Sequence, residues 1–259
     1  MGFLAQQKWL FYDTLLSLIP PAVTVKSCVV GPYWTLVESD QGAVGLAHRL
    51  SQNLPAEAPS PDSLTGRPLV EVAQLVKSWD LTSAALGLAA INAAANARLS
   101  SLVATRDNNY SPRGGCAFDF FLDRVRGRRV TVVGHFPNLE KMAQVADLTI
   151  LERQPRPGDW PDPAAEYILD EQQAVFLTGT TIINKTLPRL LELAQGRDIF
   201  LVGPSVPMFP ELFKFGFTSL SGTLIIDFPA MAAAVAQGCA EEIFERGGLM
   251  VNLLREDYV

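Results

Sequence analysis

Residues 129–137 read RVTVVGHFP, residues 174–181 read AVFLTGTT and residues 199–205 read IFLVGPS. Each stretch is a short apolar run that ends in a glycine-containing loop. Uninterrupted apolar runs of this length, separated by helical patterns, are typical of a parallel sheet that is covered on both faces. The sequence therefore predicts a doubly wound, Rossmann-like α/β fold. The predicted strands are Val130–Val133, Leu148–Leu151, Ala174–Leu177, Ile199–Val202 and Leu224–Ile226, and the predicted helices are Leu139–Ala146, Ile182–Ala194, Glu211–Phe215 and Ala230–Arg246.

The first hundred residues follow a different pattern, in which an amphipathic N-terminal helix and three β-prone runs precede two helical segments. Glycine-containing turns separate the β-prone runs, which indicates an antiparallel meander. The runs are Val23–Val30, Tyr33–Glu38 and Ala43–Ala47, and the helical segments, after a Pro-rich loop at 53–68, are Leu69–Trp79 and Thr82–Leu99. This order predicts a small α+β domain over residues 1–105, and a polar connector at 106–115 opens the Rossmann-like domain of residues 106–259.

Composition and charge limit the classes of partner and the cellular location that are expected for this protein. The 259 residues carry a net charge of −6, which argues against a nucleic acid or an anionic membrane surface as partner, because such partners favour a basic face. The longest apolar stretch, Leu81–Ala97, is too short to cross a bilayer. The N-terminus lacks the basic start and the cleavage site of a signal peptide, so a cytoplasmic location is expected. Assembly into a homo-oligomer stays open.

In a sheet of this kind, ligands bind beyond the carboxyl ends of the strands, so the loops at those ends are the candidate site. The first loop, Gly134–Pro137, holds a histidine, a phenylalanine and a proline where a dinucleotide fingerprint needs glycines. Binding of NAD or FAD in the usual way is therefore not expected. His135 is one of two histidines in the chain, and it is a candidate general base, metal ligand or hydrogen-bond donor. The alternative is an imidazole that only caps its own loop.

The second loop offers a carboxylate. Glu152 ends the second strand, at the place where dinucleotide-binding folds use an acidic residue to hold a ribose hydroxyl. The alternative is a solvated carboxylate paired with Arg153 or Arg156. The Pro-rich segment that follows, residues 153–163, fits either a lid over the site or a rigid surface connection.

The third loop carries a phosphate-type signal. Thr180 and Thr181 begin a predicted helix directly after a glycine, and the free N–H groups at a helix start attract anions. Asn184 lies four residues after Thr180 and shares its face. Ordinary N-capping by threonine explains the same pattern without a ligand. In the fourth loop, Ser205 is a candidate donor to a ligand rather than a nucleophile, because no GxSxG surrounds it.

Two more polar residues lie at informative places. Asn92 belongs to the Ala-rich second helix, where either the backbone or a ligand at the domain boundary must satisfy its amide. Asp227 precedes Pro229 at a predicted helix start, so we interpret it as a capping residue. No HxxxH, HxH or cysteine pair provides a local metal site. A metal site would therefore combine the candidate ligand His135 with residues distant in sequence.

Four motifs in order resemble a known family. GHFPNL (134–139), ERQPRPGDWP (152–161), TGTTIINKTL (178–187) and GPSVP (203–207) look like the motifs of the family described as putative heavy-metal chelation, and AAINA (89–93) resembles the small domain that precedes them. The resemblance covers nearly the whole chain. It implies an enolase-N-terminal-like domain followed by a Rossmann-like domain, with a cleft between them. The chain departs from the pattern at Gln173, where we expect an acidic residue before the third strand, at the end opposite the ligand loops.

Two classes of function agree with these observations. The first is a protein that binds a metal, or a small anionic metal-chelating molecule, in the interdomain cleft, and the family resemblance favours it. The second is an enzyme that acts on a nucleotide-like or pterin-like small molecule, with His135 as the proton-transfer group and Glu152 as the group that positions the substrate. The predicted ligand-binding residues are Asn92, His135, Glu152, Thr180, Thr181, Asn184 and Ser205.

Overall fold

The computed structural model describes residues 3–50, 58–104, 113–240 and 242–258. The helices are α1 Phe3–Ser17, α2 Leu69–Ala73, α3 Leu81–Ala104, α4 Ala117–Phe120, α5 Leu122–Val125, α6 Glu140–Val145, α7 Ala165–Ile168, α8 Thr180–Ile183, α9 Leu187–Leu193 and α10 Phe228–Gln237. The strands are β1 Val25–Val30, β2 Trp34–Ser39, β3 Val44–His48, β4 Arg113–Gly114, β5 Arg129–Val133, β6 Asp147–Glu152, β7 Trp160–Pro161, β8 Ala174–Thr178, β9 Asp198–Val202, β10 Phe217–Ile225 and β11 Gly248–Leu254.

The second part of the chain forms an eight-stranded sheet in the order β4-β11-β10-β9-β8-β5-β6-β7. The strands from β10 to β7 pair in parallel, and β11 pairs antiparallel with β10 at one side. Counted along the chain from β5, the parallel strands have the 3-2-1-4-5-6 arrangement of a Rossmann fold. The predicted Rossmann-like, mostly parallel sheet is therefore confirmed. Between β5 and β8 the order of the strands reverses, and a crevice at this switch point is where such folds bind ligands.

The sequence analysis predicted only the end of strand β10 and did not predict strand β11. The predicted run Leu224–Ile226 is only the end of β10, which is buried along Phe217–Leu224 although it alternates apolar residues with serine and threonine. Small hydroxyl residues fit here because neighbouring chain segments lie very close. A Cβ on Gly222 would lie 2.7 Å from Sδ of Met208. Close packing, rather than hydrophobicity, thus selects these residues.

Two predicted helices are interrupted. The segment 182–194 is divided between α8 and α9, because Lys185 adopts a left-handed conformation with φ of 65°. The segment 230–246 ends early, since α10 stops at the left-handed Gly238. Asp227 caps α10, and its Oδ1 accepts a hydrogen bond of 3.0 Å from the N–H of Ala230, as predicted. Gln173 lies directly before β8, at the edge of the sheet opposite the ligand loops.

The first part of the chain forms a three-stranded antiparallel sheet, β1-β2-β3, with α3 packed across it. This confirms the predicted α+β architecture of the N-terminal unit, whereas its likeness to an enolase N-terminal domain stays a prediction. The Ala-rich sequence of α3 lets the helix backbone touch the sheet directly. A Cβ on Gly45 in β3 would lie 2.0 Å from the carbonyl oxygen of Ala89 and 2.2 Å from the nitrogen of Ala93.

The two units share one hydrophobic core. Leu15 and Leu86 belong to the same buried cluster as Leu177 and Phe217 of the large sheet. The hydroxyl of Tyr12 in α1 also donates to the carbonyl of Ile182, at 3.0 Å. The predicted division between residues 105 and 106 falls outside the described residues and stays a prediction. Among the described helices, none combines the length and the apolar character that a bilayer crossing requires.

Candidate functional site

A cleft of about 1760 Å³ lies beyond the carboxyl ends of the parallel strands. The loops after β5, β6, β8 and β9 line it, together with the end of β3 and the start of α3 from the N-terminal unit. Its position at the switch point of the sheet is the one expected for the ligand site of a Rossmann-like fold. The predicted site residues that line it are His135, Glu152, Thr180, Thr181, Asn184 and Ser205.

His135 forms a hydrogen-bonded pair with a carboxylate. Its Nδ1 lies 2.9 Å from Oδ2 of Asp159, and the side chain of Asp159 is 3% exposed against 25% for that of His135. Burial acts to raise the pKa of Asp159, but hydrogen bonds from the backbone N–H of Arg156 and from the His135 ring outweigh it, so this pKa lies below its usual value. The ionised carboxylate accepts the Nδ1 proton, which places the imidazole lone pair on Nε2. Nε2 has no hydrogen-bond partner among the described residues.

Glu152 fastens two loops of the cleft together. Its Oε2 accepts a hydrogen bond of 2.8 Å from the backbone N–H of His135, and its Oε1 accepts one of 3.1 Å from the backbone N–H of Gln154. Arg153 pairs instead with Asp162, at 3.5 Å, so the alternative of a Glu152–Arg153 pair is not what the chain adopts. Each carboxylate oxygen still has a second acceptor site. Glu152 therefore orients the loop that carries His135 and can also accept a hydrogen bond from a ligand.

Hydroxyl groups cluster after β8. Oγ1 of Thr178 and Oγ1 of Thr180 lie 3.1 Å apart, and Oγ1 of the buried Thr181 donates to the carbonyl of Thr178 at 2.6 Å. Thr180 does begin a helix, as predicted, but α8 has only four residues. A single helical turn has little macrodipole, so the anion attraction expected for the start of a long helix loses most of its physical basis.

Asn184 ends α8 and turns the chain toward α9. Its Oδ1 accepts hydrogen bonds from the N–H of Thr186 at 3.1 Å and from Oγ1 of the same residue at 2.7 Å. Its amide nitrogen has no partner within the part of the chain that the structure describes. This NH₂ group is a hydrogen-bond donor in the cleft lining.

Asn92 lies behind the cleft and is not part of its lining. Its Nδ2 donates to the carbonyl of Leu46 at 2.7 Å and to that of Ser205 at 3.1 Å. Oγ of Ser205 in turn accepts a hydrogen bond of 2.8 Å from the backbone N–H of His48. Asn92 and Ser205 thus attach the loop after β9 to β3. The amide nitrogen of Asn92 makes that attachment, whereas its Oδ1 is buried without a partner among the described residues, and contact of Asn92 with a ligand stays a prediction.

The N-terminal unit contributes His48 and Arg49 to the cleft, and sequence reasoning did not assign either to the site. The imidazole of His48 packs edge-on against Trp34, with ring centroids 4.9 Å apart, and its Nδ1 is buried without a partner among the described residues. Burial lowers the pKa of His48, so this ring is neutral near pH 7. Both histidines of the chain therefore line one cleft.

The place where a Rossmann fold usually holds a pyrophosphate is covered by an aromatic ring. A Cβ on Gly134 would lie 3.3 Å from the ring of Phe136, and a Cβ on Gly203 would lie 3.5 Å from it. Phe136 also packs edge-on against Phe118, with centroids 5.0 Å apart. The space next to the two glycines is thus taken by the side chain of Phe136. Dinucleotide binding needs this space so that a phosphate can approach the backbone.

We expect neither NAD nor NADP to stabilise the protein, because Phe136 occupies that approach. A ligand present at a hundred times its Kd would add about 2.7 kcal/mol to the free energy of unfolding. For a chain of this size the gain is several degrees in Tm. A saturable rise in Tm with either nucleotide, measured by thermal denaturation, would contradict this prediction.

The donor set of the cleft limits how it can hold a metal. Among the described residues, no group of three or more His, Cys, Asp or Glu side chains is placed to ligate one ion. The carboxylates next to His135 already accept backbone or imidazole N–H groups. The described residues of the cleft therefore do not form a metal site with several protein ligands.

The sheet and its connections define a Rossmann-like protein with an appended α+β unit. The family profile described as "Putative heavy-metal chelation" matches residues 116–254, and a second profile with the same description matches residues 12–95. The chain belongs to this family, as the four motifs had indicated.

Relatives and solved structures agree with this assignment. An uncharacterized protein of Methanocaldococcus jannaschii is 32% identical over 206 residues, which are 76% of each chain. A crystal structure of a protein with unknown function from Desulfitobacterium hafniense, of the same family, has a TM-score of 0.86 and 35% identity, and covers 96% of this chain and 99% of its own. A family member from Pyrococcus horikoshii, at 20% identity and a TM-score of 0.78 over 96% of this chain and 99% of its own, shares the fold.

Proposed function

We propose that this protein binds a small anionic metal-chelating molecule in the cleft, with the metal held by that molecule and by Nε2 of His135. The observation that carries the proposal is the His135–Asp159 pair. A metal-ligating histidine in proteins commonly donates its other N–H to a carboxylate, which fixes the tautomer and makes the ligating nitrogen more basic. Asp159 stands in that relation to His135, at 2.9 Å and almost fully buried.

A chelate fits this cleft better than a bare ion. A structural metal site usually takes four protein ligands, and the described residues offer no such group. A chelator supplies most of the ligands itself, so one imidazole is enough to complete the coordination. The family description supports a role connected with metal chelation.

The remaining lining groups suit the organic part of such a ligand. The hydroxyl of Thr180 and the amide nitrogen of Asn184 can donate hydrogen bonds, and Glu152 can accept them. Phe136 and Trp34 are aromatic residues of the same lining. This mixture of apolar walls and few polar groups is usual for small-molecule sites.

The direct test is native mass spectrometry of the protein purified from its host without chelators, combined with elemental analysis. The expected result is a mass increment larger than that of any single ion, with metal at close to one equivalent. Denaturing mass spectrometry should release the increment, because no covalent bond is proposed. Protein that carries a bare ion, or protein that carries nothing when purified gently, would contradict the proposal.

The His135–Asp159 pair also supports a second candidate, an enzyme acting on a nucleotide-like or pterin-like molecule. A histidine oriented by a carboxylate is a common general base, and Nε2 would accept the proton. Substitution of His135 separates the two candidates, since a ligand and a base respond differently to its loss.

A further inference from the structure

The basic residues of the cleft differ in whether they have an acidic partner. Arg153 pairs with Asp162, and Arg189 pairs with Glu166 through two hydrogen bonds of 2.6 and 2.8 Å. Arg156 is exposed and acts electrostatically on Asp159. Arg49 and Lys185 line the cleft, are half-buried, and form no salt bridge with a described residue. Partly buried cations without a salt bridge are uncommon, because burial favours pairing.

Lys185 is held in a conformation that lysine rarely adopts. Its φ is 65°, and the only other described non-glycine residue with positive φ, Asn138, also lines the cleft. Its Nζ donates to the carbonyl of Ile183 at 2.6 Å and lies 5.9 Å from the ring centroid of the exposed Trp79. Burial lowers the pKa of Lys185 to about 8, against the opposing effect of Asp80. Backbone strain of this kind concentrates at functional sites.

Arg49 approaches the same short segment from the N-terminal unit. Its Nε lies 3.4 Å from Oγ1 of Thr82, and an Nη atom donates to the carbonyl of Gly31 at 3.3 Å. Both acceptors are neutral, so the charge of the guanidinium is not compensated by them. Lys185 lies against Trp79 and near Asp80, which come just before Thr82 in the chain. Arg49 and Lys185 therefore flank one stretch, residues 79–82, at the start of α3.

We propose that Arg49 and Lys185 together bind an acidic group of the ligand, a carboxylate or a phosphate, beside residues 79–82. This inference rests on the proposed function for the cleft and deepens it, because it gives the chelator an acidic group away from the part that meets His135. The bound anion would give Arg49 an acidic partner and would give Lys185 a direct salt bridge in addition to the longer-range effect of Asp80. It would also use the conformation of Lys185, since the left-handed turn between α8 and α9 brings that side chain to the cleft.

Titration calorimetry with two probes, inorganic phosphate and citrate, tests the proposal on the metal-free protein. Saturable binding of at least one probe is expected, and the tighter probe identifies the kind of acidic group. Arg49→Gln and Lys185→Gln should each weaken that binding by about tenfold or more, the usual loss for a hydrogen bond between charged groups. Lys185→Asn removes the same charge and tolerates a left-handed backbone, so it guards against misfolding of Lys185→Gln.

Arg153→Gln is the matched control, because Arg153 lines the same cleft but already has an acidic partner. It should change the affinity for the tighter probe less than about threefold, the scale of a screened surface charge. No saturable binding in the wild type, equal losses in all variants, or unchanged affinity in the Arg49 and Lys185 variants would each overturn the proposal. His135→Gln should leave phosphate and citrate binding intact, so failure of the metal hypothesis remains separable from failure of this one.

Discussion

Replacement of His135 with Gln is expected to abolish the binding of a chelated metal while the protein remains folded. The imidazole Nε2 is the single protein ligand that we propose, so its loss leaves the metal with solvent in that position. Ni²⁺ held by nitrilotriacetate is a suitable probe, because this chelate keeps open coordination positions that imidazole fills well. Calorimetric titration of tag-free protein should give a clear binding isotherm for the wild type and none for His135→Gln.

Two further variants sharpen this test. Asp159→Asn should weaken binding of the Ni²⁺ chelate by about 10- to 100-fold, the usual cost of removing a carboxylate that orients a metal-ligating histidine. His48→Gln is the control, because His48 is the other histidine of the cleft and has no carboxylate partner. Binding in the wild type should weaken in acid, since a protonated imidazole cannot coordinate. Equal losses in the His48 and His135 variants would contradict the assignment to His135.

The same variant distinguishes the remaining interpretations of His135. If it is a general base, His135→Gln should keep its affinity for ligand but slow turnover by about 10²- to 10⁴-fold. If it only fixes its own loop, ligand binding should survive and the free energy of unfolding should fall by about 1 kcal/mol, the cost of a lost hydrogen bond. Retained ligand binding and unchanged turnover, with a lowered Tm, identify this last case.

Gly45→Ala is expected to destabilise the protein strongly. Gly45 has an ordinary backbone conformation, so an added Cβ causes no strain of its own. The Cβ would instead lie 2.0 Å from the carbonyl oxygen of Ala89 and 2.2 Å from the nitrogen of Ala93, both backbone atoms of α3 that cannot rotate away. Moving α3 off the sheet would open the shared core, so we expect a loss of about 3 kcal/mol or more in the free energy of unfolding. The Tm should fall by roughly 6–12 °C or more.

Gly42→Asn provides the control in the turn between β2 and β3. Gly42 has a φ of 80° with no atom near the position of a Cβ, and asparagine tolerates this left-handed conformation. Its cost should stay below about 1 kcal/mol. Similar Tm values for the Gly42 and Gly45 variants would mean that α3 can shift freely, and that the contact between α3 and β3 is less important than we infer.

The sequence carried enough information for the sheet and for most of the loops at its edge. Continuous apolar runs located β5, β6, β8 and β9, because strands buried on both faces have no polar side to obscure the pattern. The same rule failed for β10 and β11. In β10 the residues Ser219, Ser221 and Thr223 are buried, and their selection depends on closely packed neighbours that no periodicity reveals.

The candidate site was predictable only in part. Strand ends identified His135 and Glu152, since position along a strand fixes which edge of the sheet a residue meets. Asp159 was missed because it lies in a Pro-rich segment with no strand or helix pattern, and only the GDWP motif marked it. Arg49 and Lys185 were missed because the absence of a salt bridge is a property of three-dimensional surroundings. The interruption at Lys185 did have a sequence signal, because Pro188 lies in the first turn of α9 and would break a continuous helix over 182–194.

The core that joins the N-terminal unit to the large sheet has a consequence for how the cleft takes up its ligand. Asn92 and Asn96, four residues apart in α3, each donate to one carbonyl of β3 and one of the Rossmann-like unit. Hinge opening would break the two hydrogen bonds to the carbonyls of Ser205 and Thr223 and expose the apolar surface beneath them. If the proposed ligand binds here, we therefore expect it to enter through the mouth of the cleft without domain closure, into a cavity whose shape is fixed before the encounter.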